Sequence, residues 1–96
     1  MTFLQEQSLI LVQSLLGVIS SNFRMVYISE LNEKIIITIV LENLSVNDME
    51  EIDDLKSEFE ALQTCQIDFD IIVKISSIDL NWPDVSTIVV YRRKED

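Results

Sequence analysis

An α+β fold is predicted, with two helices packed on one face of a four-stranded, mostly antiparallel sheet in the order αββ–αββ. Three observations predict it. Two segments, one near the start and one in the middle, carry apolar residues at helical spacing. Each is followed by short runs rich in β-branched and aromatic residues, several of them alternating with period two. The chain has 96 residues, 48% of them apolar. That is one domain's worth of sequence with ample material for a core, so residues 1–96 are read as a single domain. Covering one sheet face with both helices is the economical way to bury all four strands.

Helix 1 is predicted from Phe3 to Ser20. At ~100° per residue, Leu4, Leu11, Val12, Leu15, Leu16, Val18 and Ile19 fall on one broad face, and Gln5, Glu6, Gln13 and Gly17 fall opposite. Phe3 and Ile10 sit off that stripe, either covered by a neighbouring element or marking a contact patch. Strand 1 is expected near Phe23 to Glu30 and strand 2 near Lys34 to Glu42. In the turn between them, Asn32 is suited to a left-handed conformation. In "KIIITIVLE", Ile35, Ile37, Ile39 and Leu41 share a face and Ile36, Thr38 and Val40 share the other. With both faces apolar, strand 2 is either central or covered on both sides. Helix 2 starts after "NLS", with Ser45 as N-cap and Leu44 packing on Met49, or with Asn47 and Glu50 as the competing cap. Its stripe is Met49, Ile52, Leu55, Phe59 and Leu62, and it ends near Thr64. Strand 3 points Ile67, Phe69, Ile71, Val73 and Ile75 inward and Asp68, Asp70, Ile72 and Lys74 outward. The loop "SSIDLNWPD" then leads to strand 4, near Ser86 to Arg92. If strand 1 buries Phe23, Met25 and Tyr27, the second sheet face shows Val26, Ile28, Ile36, Val40, Ile72 and Val90. That is apolar enough for a partner or a homodimer to cover it.

Composition excludes much chemistry. Histidine is absent, which removes the commonest general acid–base group and metal ligand. Gly17 is the only glycine, so no phosphate-cradling loop and no nucleophile elbow can be built. Cys65 is alone: no intrachain disulfide or paired-thiol zinc site is available, and a reducing cytoplasm fits best. With acidic neighbours and no histidine, Cys65 reads as a partly buried structural residue. The apolar run Leu9–Ile19 is too short to span a bilayer and lacks a basic region before it. Asp68 and Asp70 have the spacing of a magnesium-binding or acid–base pair. They lack the upstream glycine-serine turn of nucleotidyltransferase-type sites, and also read as charges that discourage edge pairing. Trp82-Pro83 reads as a loop plug packed on the core. No catalytic residue, metal or cofactor is assigned, and the chain is read as a non-enzyme.

The net charge is −10. It argues against nucleic acid and anionic membranes and for a cationic partner. Acid concentrates between Asn47 and Asp70, where nine carboxylates stand against one lysine. Glu50, Asp54 and Glu58 lie at successive i, i+4 positions, where each like-charged pair costs about 0.2–0.5 kcal/mol. The helix dipole offsets the first turn only, and Lys56 can bridge Asp53 and Glu60 without neutralising the face. Two explanations stand: a solvated face that keeps the protein soluble, or a docking surface for a basic protein. On the second, Glu50, Glu51, Asp53, Asp54, Glu58, Asp68 and Asp70 are the candidate contact residues, steering and then holding the partner.

The short αββ–αββ layout, "LLGVISSNFR" entering strand 1, the acidic helix start "SVNDMEEIDD" and the end "WPDVSTIVVYRRKED" together resemble small acidic immunity proteins. These are encoded beside bacterial contact-dependent growth-inhibition toxins. The resemblance covers nearly the whole chain and implies a non-enzymatic cytoplasmic protein that binds and blocks one cognate toxin domain, often a basic nuclease. It assigns no site residue. The alternative is an interaction or scaffold domain that self-associates through the apolar sheet face.

Overall fold

The structure, a computed structural model, describes residues 1–83 and 86–95. Asp84 of the predicted loop, Val85 and Asp96 lie outside the described residues. Among the described residues the order is α1 (Phe3–Ser14), β1 (Phe23–Leu31), β2 (Lys34–Leu41), α2 (Val46–Ala61), β3 (Phe69–Ile75) and β4 (Ile88–Arg92). The predicted α+β class and αββ–αββ order are therefore found. The strands lie in the order β3-β2-β1-β4. The β1–β2 and β1–β4 pairs are antiparallel, and β2–β3 is parallel, with α2 as the crossover between them.

β1 and β2 form a hairpin through a two-residue turn. Asn32 and Glu33 both have positive φ, 51° and 67°. That is the type I′ geometry that matches strand twist. Asn32 adopts it readily, while Glu33 has no such local preference. A bulge follows from the register break between Phe23 and Met25, with Arg24 the extra residue. It reverses the expected side-chain parity of β1. Phe23, Val26 and Ile28 join the helix-side core, with Ile35, Ile37, Ile39 and Leu41 from β2. Met25 and Tyr27, which regular alternation from Phe23 would place in that core, instead pair with Val40 and Thr38 on the second face.

α1 begins as a capping box: Thr2 Oγ1 accepts from Gln5 N, and Gln5 Oε1 accepts from Thr2 N. It ends at Ser14 rather than Ser20. Gly17, at φ +83°, takes the left-handed turn that stops it. The inward residues of the helix also differ from the expected stripe. Gln7, Ser8, Leu11 and Ser14 are buried, whereas Val12 and Leu16 are 45% and 77% exposed. The buried polar groups all have hydrogen-bond partners. Ser8 Oγ donates to Gln5 O at 2.7 Å and Ser14 Oγ to Ile10 O at 2.8 Å. Gln7 and Gln63 exchange two amide hydrogen bonds, of 3.0 and 2.7 Å, tying α1 to the segment after α2.

Ser45, not Asn47, caps α2, its Oγ accepting from Asp48 N at 3.3 Å. Leu44 is 74% exposed and forms no staple. Asp48 is buried and accepts from Ser20 Oγ and Asn22 Nδ2, both at 2.8 Å, so this acid fastens the turn after α1 to the start of α2. α1 packs on β1 and β4. α2 reaches β3, where Phe59 meets Phe69 edge-on at 4.9 Å. Ile75, expected inside, is 47% exposed at the end of β3.

The connection from β3 to β4 must travel from one sheet edge to the other. Arg24 Nη1 donates to Ser76 O and Ile78 O, and Arg92 donates to Leu80 O, so residues 76–80 cross the second face of the sheet. Met25, Thr38 and Val40 are buried there although no helix covers them. Trp82 does not plug the core. It is 64% exposed, with the Arg92 guanidinium 5.1 Å from its ring centroid.

The C-terminal charges latch this arrangement. Arg24 Nε and Nη2 grip the two oxygens of Glu95 at 2.8 and 2.7 Å. Arg93 binds Glu42, Glu95 and Ser21 O. Hydrogen bonding from Arg24, aided by Arg93, outweighs partial burial and holds the Glu95 carboxyl at about 2, against an ordinary 4.5. A carboxyl depressed by folding stabilises above its unfolded value and loses that contribution as pH falls through the folded one. Glu95→Gln is therefore expected to lower Tm at pH 7, and the gap to wild type should narrow below about pH 4.5 and close near pH 2. Thermal melts at pH 7, 4 and 2 test this; a gap independent of pH contradicts it.

Candidate partner-binding site

All seven candidate acids are exposed. They do not form one flat patch. Ile52, Leu55 and Phe59 face the sheet. At ~100° per residue, Glu50 and Asp54 then point away from it, and Glu51 and Glu58 occupy the flank opposite Asp53 and Glu60. The β3 flank is where the two acidic segments meet. Asp53 and Asp70 line one shallow groove with Met49, Lys56 and Ile71. Glu60 and Asp68 line the next, beside Cys65, Gln66 and Phe69. The acids thus wrap α2 and continue onto the β3 edge. Glu60, not among the candidates, shares this flank; sequence spacing does not show which flank of α2 faces β3. Cys65, expected partly buried, is exposed.

Cations are sparse here. Lys56 forms no ion pair among the described residues. Lys34 Nζ lies 2.7 Å from Asp70 and 3.9 Å from Asp68, and the Asp70 hydrogen bond raises the lysine above its ordinary pKa. That ammonium stands between the two aspartates, where a metal held by both would sit. Among the described residues no cluster of three or more His, Cys, Asp or Glu side chains has the makings of a metal site. No helix among them is long and apolar enough to cross a membrane.

Comparison with known families gives this arrangement of charge a setting. The family model for the MafI2 immunity protein matches residues 5–95. The chain belongs to this family. It is thus an immunity protein of a Maf polymorphic toxin system, a class implying neutralisation of a cognate toxin and made up typically of non-catalytic inhibitors. The immunity-protein class is the one the sequence resemblance pointed to; the toxin system is the Maf one. No curated protein matches the chain.

For an immunity protein the sheet's second face is the other surface the sequence singled out. Val26 and Ile28 have left it and the β3–β4 connection crosses it. Tyr27 and Ile36 remain half-buried and Ile72 is 43% exposed. Lys74 Nζ lies 3.5 Å from Tyr27 Oη at this end. What stays uncovered there mixes apolar and polar side chains, unlike the acidic flank.

Proposed function

We propose that this immunity protein blocks its toxin without catalysis, by laying the acidic α2–β3 side over a cationic substrate site on a basic, nuclease-like toxin domain. The carrying observation is the exposure of Glu50, Glu51, Asp53, Asp54 and Glu58 around α2, continued by Asp68 and Asp70. Carboxylates at this density stand in for the phosphates of a nucleic acid. They accelerate encounter by long-range attraction, and those that lose water in the complex, paired with arginine or lysine, hold it. Among the described residues Lys56, the lysine of this helix, forms no ion pair with its acids, which leaves them available to an outside cation. Neutralisation by such a plug fits a cytoplasmic site of action, as the single unpaired cysteine does.

The test is reversal of two exposed acids whose side chains make no hydrogen bond or ion pair among the described residues. Asp54→Lys with Glu58→Lys is expected to weaken binding of the cognate toxin domain on the order of 100-fold, chiefly in association rate and most at low salt. Tm should hold or rise slightly, because repulsion within α2 is relieved. Unchanged affinity in the double variant, measured by calorimetry or surface binding, removes this surface from the interface.

A further inference from the structure

We infer that a second copy of this chain docks on α1 and the open edge of β4, at the opposite edge of the sheet from the acidic surface. α1 is built the wrong way round for a helix that faces only water. Its inner side buries Gln7, Ser8 and Ser14 beside Leu11, while Leu9 and Val12, three apart on the helix, stand 56% and 45% exposed and Leu16, in the turn just after it, 77%. Beside this stripe runs β4, which among the described residues pairs with β1 alone. Met1, Gln5, Ser8, Leu9 and Ile88 line one shallow depression, which joins the Leu9 end of the stripe to the start of β4.

The two sheet edges are guarded differently. β3 carries Asp70 and Lys74, with Asp68 just before it, and such charges deter strand addition. β4 reads Ile-Val-Val-Tyr before its terminal arginine, with no charge to deter a partner. Charge also selects the occupant. Of a net −10, only Glu6 contributes a charged side chain within residues 1–22. Two copies repel wherever their acidic parts approach, and this side is where they meet at least cost. A basic partner is drawn instead to α2 and β3. A two-fold contact satisfies the geometry, with β4 antiparallel to its counterpart and the α1 stripes against each other. The dimer then presents its two acidic surfaces at its far ends, free for two toxin molecules.

Sedimentation velocity of the chain alone, from about 5 to 500 µM, tests this independently of any toxin. Expected is a mass rising from 11.1 kDa toward twice that value, with association strengthened when salt is raised and repulsion screened. Leu9→Lys with Leu16→Lys should move the midpoint at least about tenfold higher in concentration. Circular dichroism checks folding of that variant, and Leu16→Lys alone, beyond the helix end, serves as the milder probe. A wild type monomeric throughout overturns the inference, as does a lysine variant that self-associates unchanged. A monomer whose α1 variants lose toxin binding also overturns it, by giving the surface to the toxin.

Discussion

Replacing Arg24 with methionine is expected to lower Tm by on the order of 10–20 °C at pH 7. The guanidinium is buried and makes four hydrogen bonds, to Ser76 O, Ile78 O and both oxygens of Glu95. Methionine retains most of the stem's volume, so the loss is the donor fork. Two carbonyls then lack their donor and Glu95 loses its closest cation. Breaking such a set costs about 2–4 kcal/mol, and a domain of this size moves roughly 4–8 °C per kcal/mol. Lysine, with a single ammonium, cannot serve the carbonyls and the carboxylate together, so Arg24→Lys should recover only a small part. The effect should be local as well as global. The connection across the second face is fastened at Ser76 and Ile78, so its amides should exchange faster in the variant than those of β1 and β2. Melting curves and hydrogen exchange measure both. A fall below about 4 °C, or full rescue by lysine, contradicts this account.

The importance of Arg24 had no local signal in the sequence. Glu95 lies 71 positions away, and "RRKED" reads as a charged tail. The bulge was hidden for a related reason. Phe23, Met25 and Tyr27 make as good an apolar set as Phe23, Val26 and Ile28, so alternation cannot choose between them; only pairing with β2 does. In α1 the apolar pattern runs through "LLGVIS" as if the helix continued. Gly17 was the available stop signal, and the buried serines were unreadable because their hydroxyls bond to their own helix. What was legible was locally encoded: the Asn32 turn, the Ser45 cap, the β-branched run of β2 and the Ile52, Leu55 and Phe59 part of the α2 stripe, though Met49 at its head is exposed and Leu62 lies just past the helix end. The acids were legible as a composition and a helix, not as a distribution around it. Which of them meet Asp68 and Asp70 depends on the parallel pairing of β3 with β2, and that is a long-range contact.

Phe59→Ala is expected to be the most damaging single substitution on the helix that carries the acids. The ring is fully buried and contacts Phe69 at 4.9 Å with planes 63° apart. Truncation loses the transfer energy and leaves a cavity between α2 and β3, together about 3–5 kcal/mol. Domains of this kind have about 5–15 kcal/mol in all, so a large share of the stability goes and Tm should fall by about 15 °C or more. A double-mutant cycle with Phe69→Ala isolates the ring pair, expected at about 0.5–1.5 kcal/mol of coupling. The functional readout should be the reverse of that for the charge reversal. Phe59→Ala leaves every surface acid in place, so folded molecules well below Tm should bind toxin with near-normal affinity while more protein is needed to protect. Asp54→Lys with Glu58→Lys should keep Tm and lose affinity. If Phe59→Ala melts within about 5 °C of wild type, α2 is not held by this contact. The acidic surface would then need another anchor to keep its shape.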